Sequence, residues 1–79
     1  MNRFQAMAKI MAMLTDEENL KQGSREYQIA RKLVSRKIDR LGPEDALLQV
    51  VDRRHQLMEQ IGILIALEDS GIKNAHLDF

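Results

Sequence analysis

The sequence predicts an all-α protein: a small three-helix domain built on an antiparallel helical hairpin and paired as a dimer. Three observations carry that expectation. Apolar residues recur at three- and four-residue steps in three segments, the spacing of a helix face. The chain's one proline follows a glycine, and Gly42-Pro43 is the one strong break between those segments. One Tyr, two Phe, no Trp, four Gly and one Pro in 79 residues are far from a sandwich or barrel composition. Residues 1–72 are expected to form a single domain and residues 73–79 a C-terminal tail.

In the first helix Phe4, Met7, Ile10, Met11 and Leu14 share one face, with Arg3, Gln5 and Lys9 at its margins. Thr15 followed by Glu18 has the spacing of a capping box, which predicts a new short helical turn from Asp16. Gly23 then suits a helix stop and Ser24 the next N-cap. The second helix is predicted over Arg25–Leu41. Tyr27, Ala30, Val34, Ile38 and Leu41 cluster on one side, and Arg25, Lys32, Arg36 and Arg40 on the other.

Pro43 fits the first turn of a third helix, and Glu44 and Asp45 suit its positive N-terminal end. That helix is predicted over Glu44–Asp69, close to 40 Å at roughly 1.5 Å per residue. Leu47, Val50, Val51, Leu57, Met58, Ile61, Leu64 and Ile65 form its apolar stripe. Gly71 can take a left-handed position after the last turn, with Ile72 packing back on Leu67. Gly42-Pro43 is too short to do anything but set the second and third helices side by side and antiparallel. Residues 25–41 carry six basic and two acidic side chains, and residues 42–72 two basic and six acidic, so the two segments attract.

From Ile61 to Leu67 the third helix is apolar nearly all round, because Ile63, Ala66 and Leu67 leave the main stripe. A helix apolar on every side is buried on every side. A second copy or another protein is the natural cover, which predicts a homodimer with Ile63 and Leu67 in an interface. Met7 and Met11 add an adaptable surface of the kind used for partner binding.

Composition excludes several function classes. No cysteine is present, which removes disulfides, thiolate zinc sites and a Cys nucleophile. Twelve basic and twelve acidic side chains cancel, so net charge exerts no general pull toward nucleic acid or membrane. No His-x-x-x-His, Glu-x-x-His or calcium-loop spacing occurs, no Gly-rich phosphate loop is present, and no cofactor signature is visible. Lys9 interrupts the apolar N-terminal stretch and no small-residue cleavage site follows it, which argues against a signal peptide. The longest apolar run, Ile61–Leu67, is far short of the roughly 20 residues of a spanning helix. The expectation is a soluble, cytoplasmic protein.

Arg54 lies in the middle of the last apolar stripe, seven residues after Leu47 and seven before Ile61. A charge there needs a partner or water. Glu17, Glu18 or Asp39 could supply it within the chain, as could Asp52 or Glu59 of a second subunit, making Arg54 a polar interface residue that fixes register. The alternative is an anion-binding arginine. Residues Leu47–Gly62, LLQVVDRRHQLMEQIG, resemble the first-helix pattern of the all-helical chorismate mutases: two Leu, two further apolar residues, an Arg, a Leu three later, then an apolar–Gly pair. The resemblance implies a substrate-carboxylate role for Arg54. It spans about sixteen residues, Ile65 stands where the family has a lysine, and the matching helix is last here but first in the family.

The basic stripe Arg25, Lys32, Arg36 and Arg40, flanked by Arg31 and Lys37, could track phosphates of a nucleic acid. No aromatic residue interleaves with it in the sequence, and the turn of a helix-turn-helix motif is missing. In the tail, Leu77 and Phe79 are apolar anchors spaced by one. Residues 74–79 resemble the short peptides that bind bacterial sliding clamps, with Asn74 where those prefer Gln. Packing on the protein's own helices is the other use for the two anchors. Taken together, the residues favour a non-enzymatic protein that binds another protein through Ile63, Leu67, Met7, Met11, Leu77 and Phe79. A regulator, adaptor or inhibitor fits, phage-encoded ones included. A nucleic-acid binder using the second helix is the first alternative, and an anion-binding protein using Arg54 the second.

Overall fold

In the computed structural model, which describes residues 1–79, Asn2 opens the first helix, α1 (Arg3–Glu17). Its side chain accepts from the Gln5 N–H and Gln5 Oε1 accepts from the Asn2 N–H, both at 2.9 Å, so two orphan donors are satisfied reciprocally. The short turn predicted from Asp16 does not form. The Thr15 hydroxyl donates to the Met11 carbonyl at 2.8 Å instead of capping, and α1 runs on to Glu17. Asn19 then takes a left-handed φ of 55°, and Leu20 turns back into the core.

The buried face of α1 is Ala6, Ile10, Met11 and Leu14. Phe4, expected on that face, is 82% exposed. It shares the side of the helix that Met11 buries seven residues later, but it stands in the first turn of α1, where no neighbouring element covers it.

Ser24 caps α2 (Arg25–Leu41) by accepting from the Tyr27 N–H at 3.1 Å. This helix is the centre of the molecule and touches the other three. It therefore buries more of its surface than a single stripe: Ile29, Ala30, Leu33, Val34, Lys37 and Ile38. Leu41, expected in the stripe, stands at the surface beside the turn.

Gly42 makes that turn at φ 89° and ψ 162°, and Pro43 starts the next helix. Here the predicted architecture needs correction. Residues 44–69 were expected as one helix, but the chain forms two, α3 (Pro43–Asp52) and α4 (Arg54–Asp69), so the fold has four helices. Arg53 between them sits at φ −116° and ψ 28°. The cause is length. A straight helix from Pro43 to Asp69 would span about 40 Å, whereas the 17 residues of α2 span about 25 Å. Both ends of this segment nevertheless meet both ends of α2. Gly42 joins one pair, and at the other Arg25 reaches Glu68 at 3.1 Å and Asp69 at 2.9 Å. The bend at Arg53 makes this possible, and it lets Ala46 and Val50 of α3 and Leu57, Ile61 and Leu64 of α4 all enter one core. α1 packs on α2 and α3, while α4 packs on α2.

The end of α4 follows its sequence. Gly71 is left-handed at φ 85°, its N–H bonds the Glu68 carbonyl at 3.0 Å, and the Ile72 N–H bonds the Leu67 carbonyl at 2.9 Å. These are the two bonds of a Schellman motif. Residues 73–79 then run back along α2 and α4, ending with Phe79 buried in the core. No helix is long and apolar enough to cross a membrane.

Candidate functional site

Three surfaces concentrate what a binding partner could use. The first is apolar and belongs to α3 and α4. On α4, Gly62, Ile63 and Ala66 are exposed, Ile63 by 43%, and Ile65 and Leu67 are half-buried. On α3, Leu48 and Val51 are 66% and 58% exposed, one turn apart. Val51 was expected in the buried stripe. Ala46, Val50, Leu57, Ile61 and Leu64 keep steps of three, four and seven residues across Arg53 and stay buried, whereas Val51, about 100° round from Val50, falls at the edge of that stripe and turns out to solvent. Leu48 has no sequence signal of its own. It and Val51, three residues apart in α3, share an outer face.

The positions expected to bind a partner therefore divide. Ile63 is open, and Leu67, Met7 and Leu77 are half-buried. Met11 and Phe79 are each only 3% exposed because both pack inside the chain's own core. As folded, neither presents its side chain to a partner.

The second surface surrounds Arg54. Its Nε lies 3.0 Å from Glu18 Oε1, and the same guanidinium also pairs with Glu17. Two of the carboxylates expected as intramolecular partners are thus the ones that meet it, both from the end of α1. The charge sits at the rim of the apolar stripe rather than within it, with the Arg54 side chain 37% exposed. One guanidinium against two carboxylates leaves a local formal charge of −1. That field repels a dicarboxylate, and Nε and one terminal nitrogen of the guanidinium are already engaged. Val51, Asp52, His55 and Met58 complete a shallow depression here.

The third surface is basic. Of the stripe on α2, Arg25 is neutralised by Glu68 and Asp69, and those two hydrogen bonds raise its guanidinium pKa above the usual value. Arg40 is engaged by Asp78. Lys32 and Arg36, together with neighbouring Arg31, make no ion pair and point to solvent. Lys37, expected to flank the stripe, is buried instead, 3.0 Å from Asp78 and over the ring of Phe79.

The tail contact is the most polar junction in the fold. Asp78 bridges Lys37 and Arg40, Gln60 Nε2 donates to the Asp78 carbonyl, and Arg53 donates to the Phe79 carbonyl at 3.2 Å. The hydrogen bond from Arg40, followed by that from Lys37, holds the Asp78 carboxyl below its usual pKa. No group of three or more His, Asp or Glu side chains gathers anywhere in a metal-holding arrangement. Compared with protein-family models, with curated proteins and with solved structures, the chain has no match.

Proposed function

We propose that the protein is non-enzymatic and works by protein–protein binding, as a small regulator, adaptor or inhibitor. The observation that supports this is the apolar outer face of α4, where Gly62, Ile63 and Ala66 lie at the surface beside half-buried Leu67. Isolated apolar side chains at a surface are ordinary, but neighbours on one helix face form a patch.

The first occupant of that face is a second copy of the chain. Most soluble oligomers are two-fold symmetric pairs that use one self-complementary patch. Small side chains at Gly62 and Ala66, four residues apart, let two α4 helices approach, with Ile63 and Leu67 filling the flanks. In an antiparallel pair centred between Gly62 and Ile63, Asp69 of one copy faces Gln56 and His55 of the other, not a like charge. The homodimer leaves Leu48 and Val51 on α3 free for a different protein.

Absolute mass in solution, measured by size-exclusion chromatography with light scattering over a wide concentration range, tests this reading. A dimer that becomes a folded monomer with Ile63→Glu supports it. A monomer at every concentration removes the second copy as occupant. A dimer untouched by Ile63→Glu moves the interface away from α4.

A further inference from the structure

We infer that the outward face of α2, together with Phe4 of α1, binds single-stranded nucleic acid. This goes beyond the protein-binding reading and uses a separate surface. Phe4 is the most exposed large apolar side chain of the chain, at 82%. It has no role in the core, so its burial against nothing internal calls for an external account. In space it shares one depression of about 440 Å³ with Arg31, Lys32 and Arg36. An aromatic ring beside the basic stripe is what the sequence alone lacks; helix packing brings it there from 27 residues or more upstream.

The charges around it are free to act. Arg31, Lys32 and Arg36 have no carboxylate partner, and the nearby Asp39 is taken up by Arg3. Lys32 and Arg36 also line a second depression on the other side of α2, with Lys73 and His76. They thus form a ridge between two grooves, a path a flexible strand can follow. Four residues of helix separate them by about 6 Å along the axis, the scale of successive phosphates in an extended strand. Cationic grooves that track the backbone, plus aromatic rings on which bases stack, are the combination that binds single strands without sequence preference. A duplex keeps its bases stacked inside and has no face to offer Phe4. An acidic protein would use the cations but gain little from one flat ring.

Fluorescence anisotropy with a labelled oligothymidylate, titrated with the full chain at several salt concentrations, tests this. Affinity should fall linearly on log–log axes as salt rises, with a slope near −0.7 per phosphate contacted. Lys32→Gln with Arg36→Gln should weaken binding and make that slope shallower by about 1.4. Phe4→Ala should weaken binding roughly five-fold or more at fixed salt and leave the slope unchanged, since stacking carries no counterion term. Lys9→Gln with Lys21→Gln, an equal loss of charge elsewhere, should do neither. All these positions are exposed, so the variants fold, and circular dichroism verifies it. No binding at low salt overturns the inference. So does binding that ignores Phe4, or that oligoglutamate or anionic phospholipid vesicles compete away at equal charge concentration.

Discussion

The Lys37 ammonium lies 4.3 Å from the centroid of the Phe79 ring, although 42 residues separate them. The same ammonium meets Asp78 at 3.0 Å. A buried lysine is costly unless it is paired, and here the tail supplies both a carboxylate and a π face. In return Lys37 gives residues 73–79 a fixed place on α2. Phe79→Ala removes a ring that is nearly fully buried and should lower the unfolding free energy by about 2 kcal/mol. Lys37→Met keeps the length and apolar stem, leaves Asp78 its bond to Arg40, and should cost less than about 1 kcal/mol. Urea denaturation of the two variants checks the order. A larger loss for Lys37→Met would mean that the ion pair, not the ring, holds the tail.

Tail docking should also depend on pH. Asp78 has a folded pKa held below the ordinary value of 3.8 by Arg40 and Lys37. A depressed carboxyl pKa contributes stability that is present above the unfolded value and is lost as pH falls through the folded one. Docking should therefore be constant near neutrality and weaken only in acid, from about pH 4 downward. The Leu77 methyl resonances, followed by NMR during an acid titration, report this directly. Asp78→Asn should remove the acid-dependent step and hold tail occupancy near neutrality at the level the natural chain reaches only in acid. An unchanged titration in Asp78→Asn would assign the step to another group.

Arg54 is placed to hold the end of α1 onto the start of α4, two helices with no backbone contact between them. Its partners are partly exposed, so each pair is worth no more than about 1 kcal/mol and weakens with salt. Arg54→Glu gathers three carboxylates and should destabilise the fold by about that amount. Glu17→Lys in the same chain should recover much of the loss, a coupling that a double-mutant cycle isolates. Malonate should leave the melting temperature unchanged. A malonate shift present in the natural chain and absent in Arg54→Leu would instead make Arg54 an anion receptor.

Local signals in the sequence located most of the fold. Ser24, Gly42-Pro43 and Gly71 each mark a helix end where the structure has one, because caps and left-handed turns depend on a few adjacent residues. The break at Arg53 left no such mark. It arises from the mismatch between the length of residues 43–69 and that of α2, a property of the packed molecule. Val51 lies at the edge of a stripe that continues in phase across Arg53, and periodicity alone does not say how wide a face the neighbouring helices cover. Phe4 was placed inside because the face of α1 was read as wider than its neighbours cover. Glu17 and Glu18 are legible as candidate partners of Arg54, but carboxylates crowd the helix ends, and choosing these two needs the relative placement of α1 and α4. Lys37 could not be recognised as buried, because the group that neutralises it comes from an aperiodic tail.

Two glycines offer the sharpest test of backbone geometry, because the space around both is open. Neither Gly42 nor Gly62 has a heavy atom within 4 Å of where a Cβ would stand. Packing therefore predicts no effect of alanine at either site. Backbone conformation predicts opposite effects. Gly42, at φ 89° and ψ 162°, occupies a region open essentially to glycine alone, so Gly42→Ala should cost roughly 1–3 kcal/mol. Gly62 is helical, and Gly62→Ala should stabilise by roughly 0.5–1 kcal/mol through reduced freedom of the unfolded chain. The second measurement is best made in the Ile63→Glu background, where a dimer contact at Gly62 cannot mask the helix term. Thermal or urea unfolding gives both signs. A neutral Gly42→Ala would show that the α2–α3 turn can relax to another conformation. The antiparallel run of α2 against α4 would then be held by Arg25 and the core rather than by the turn.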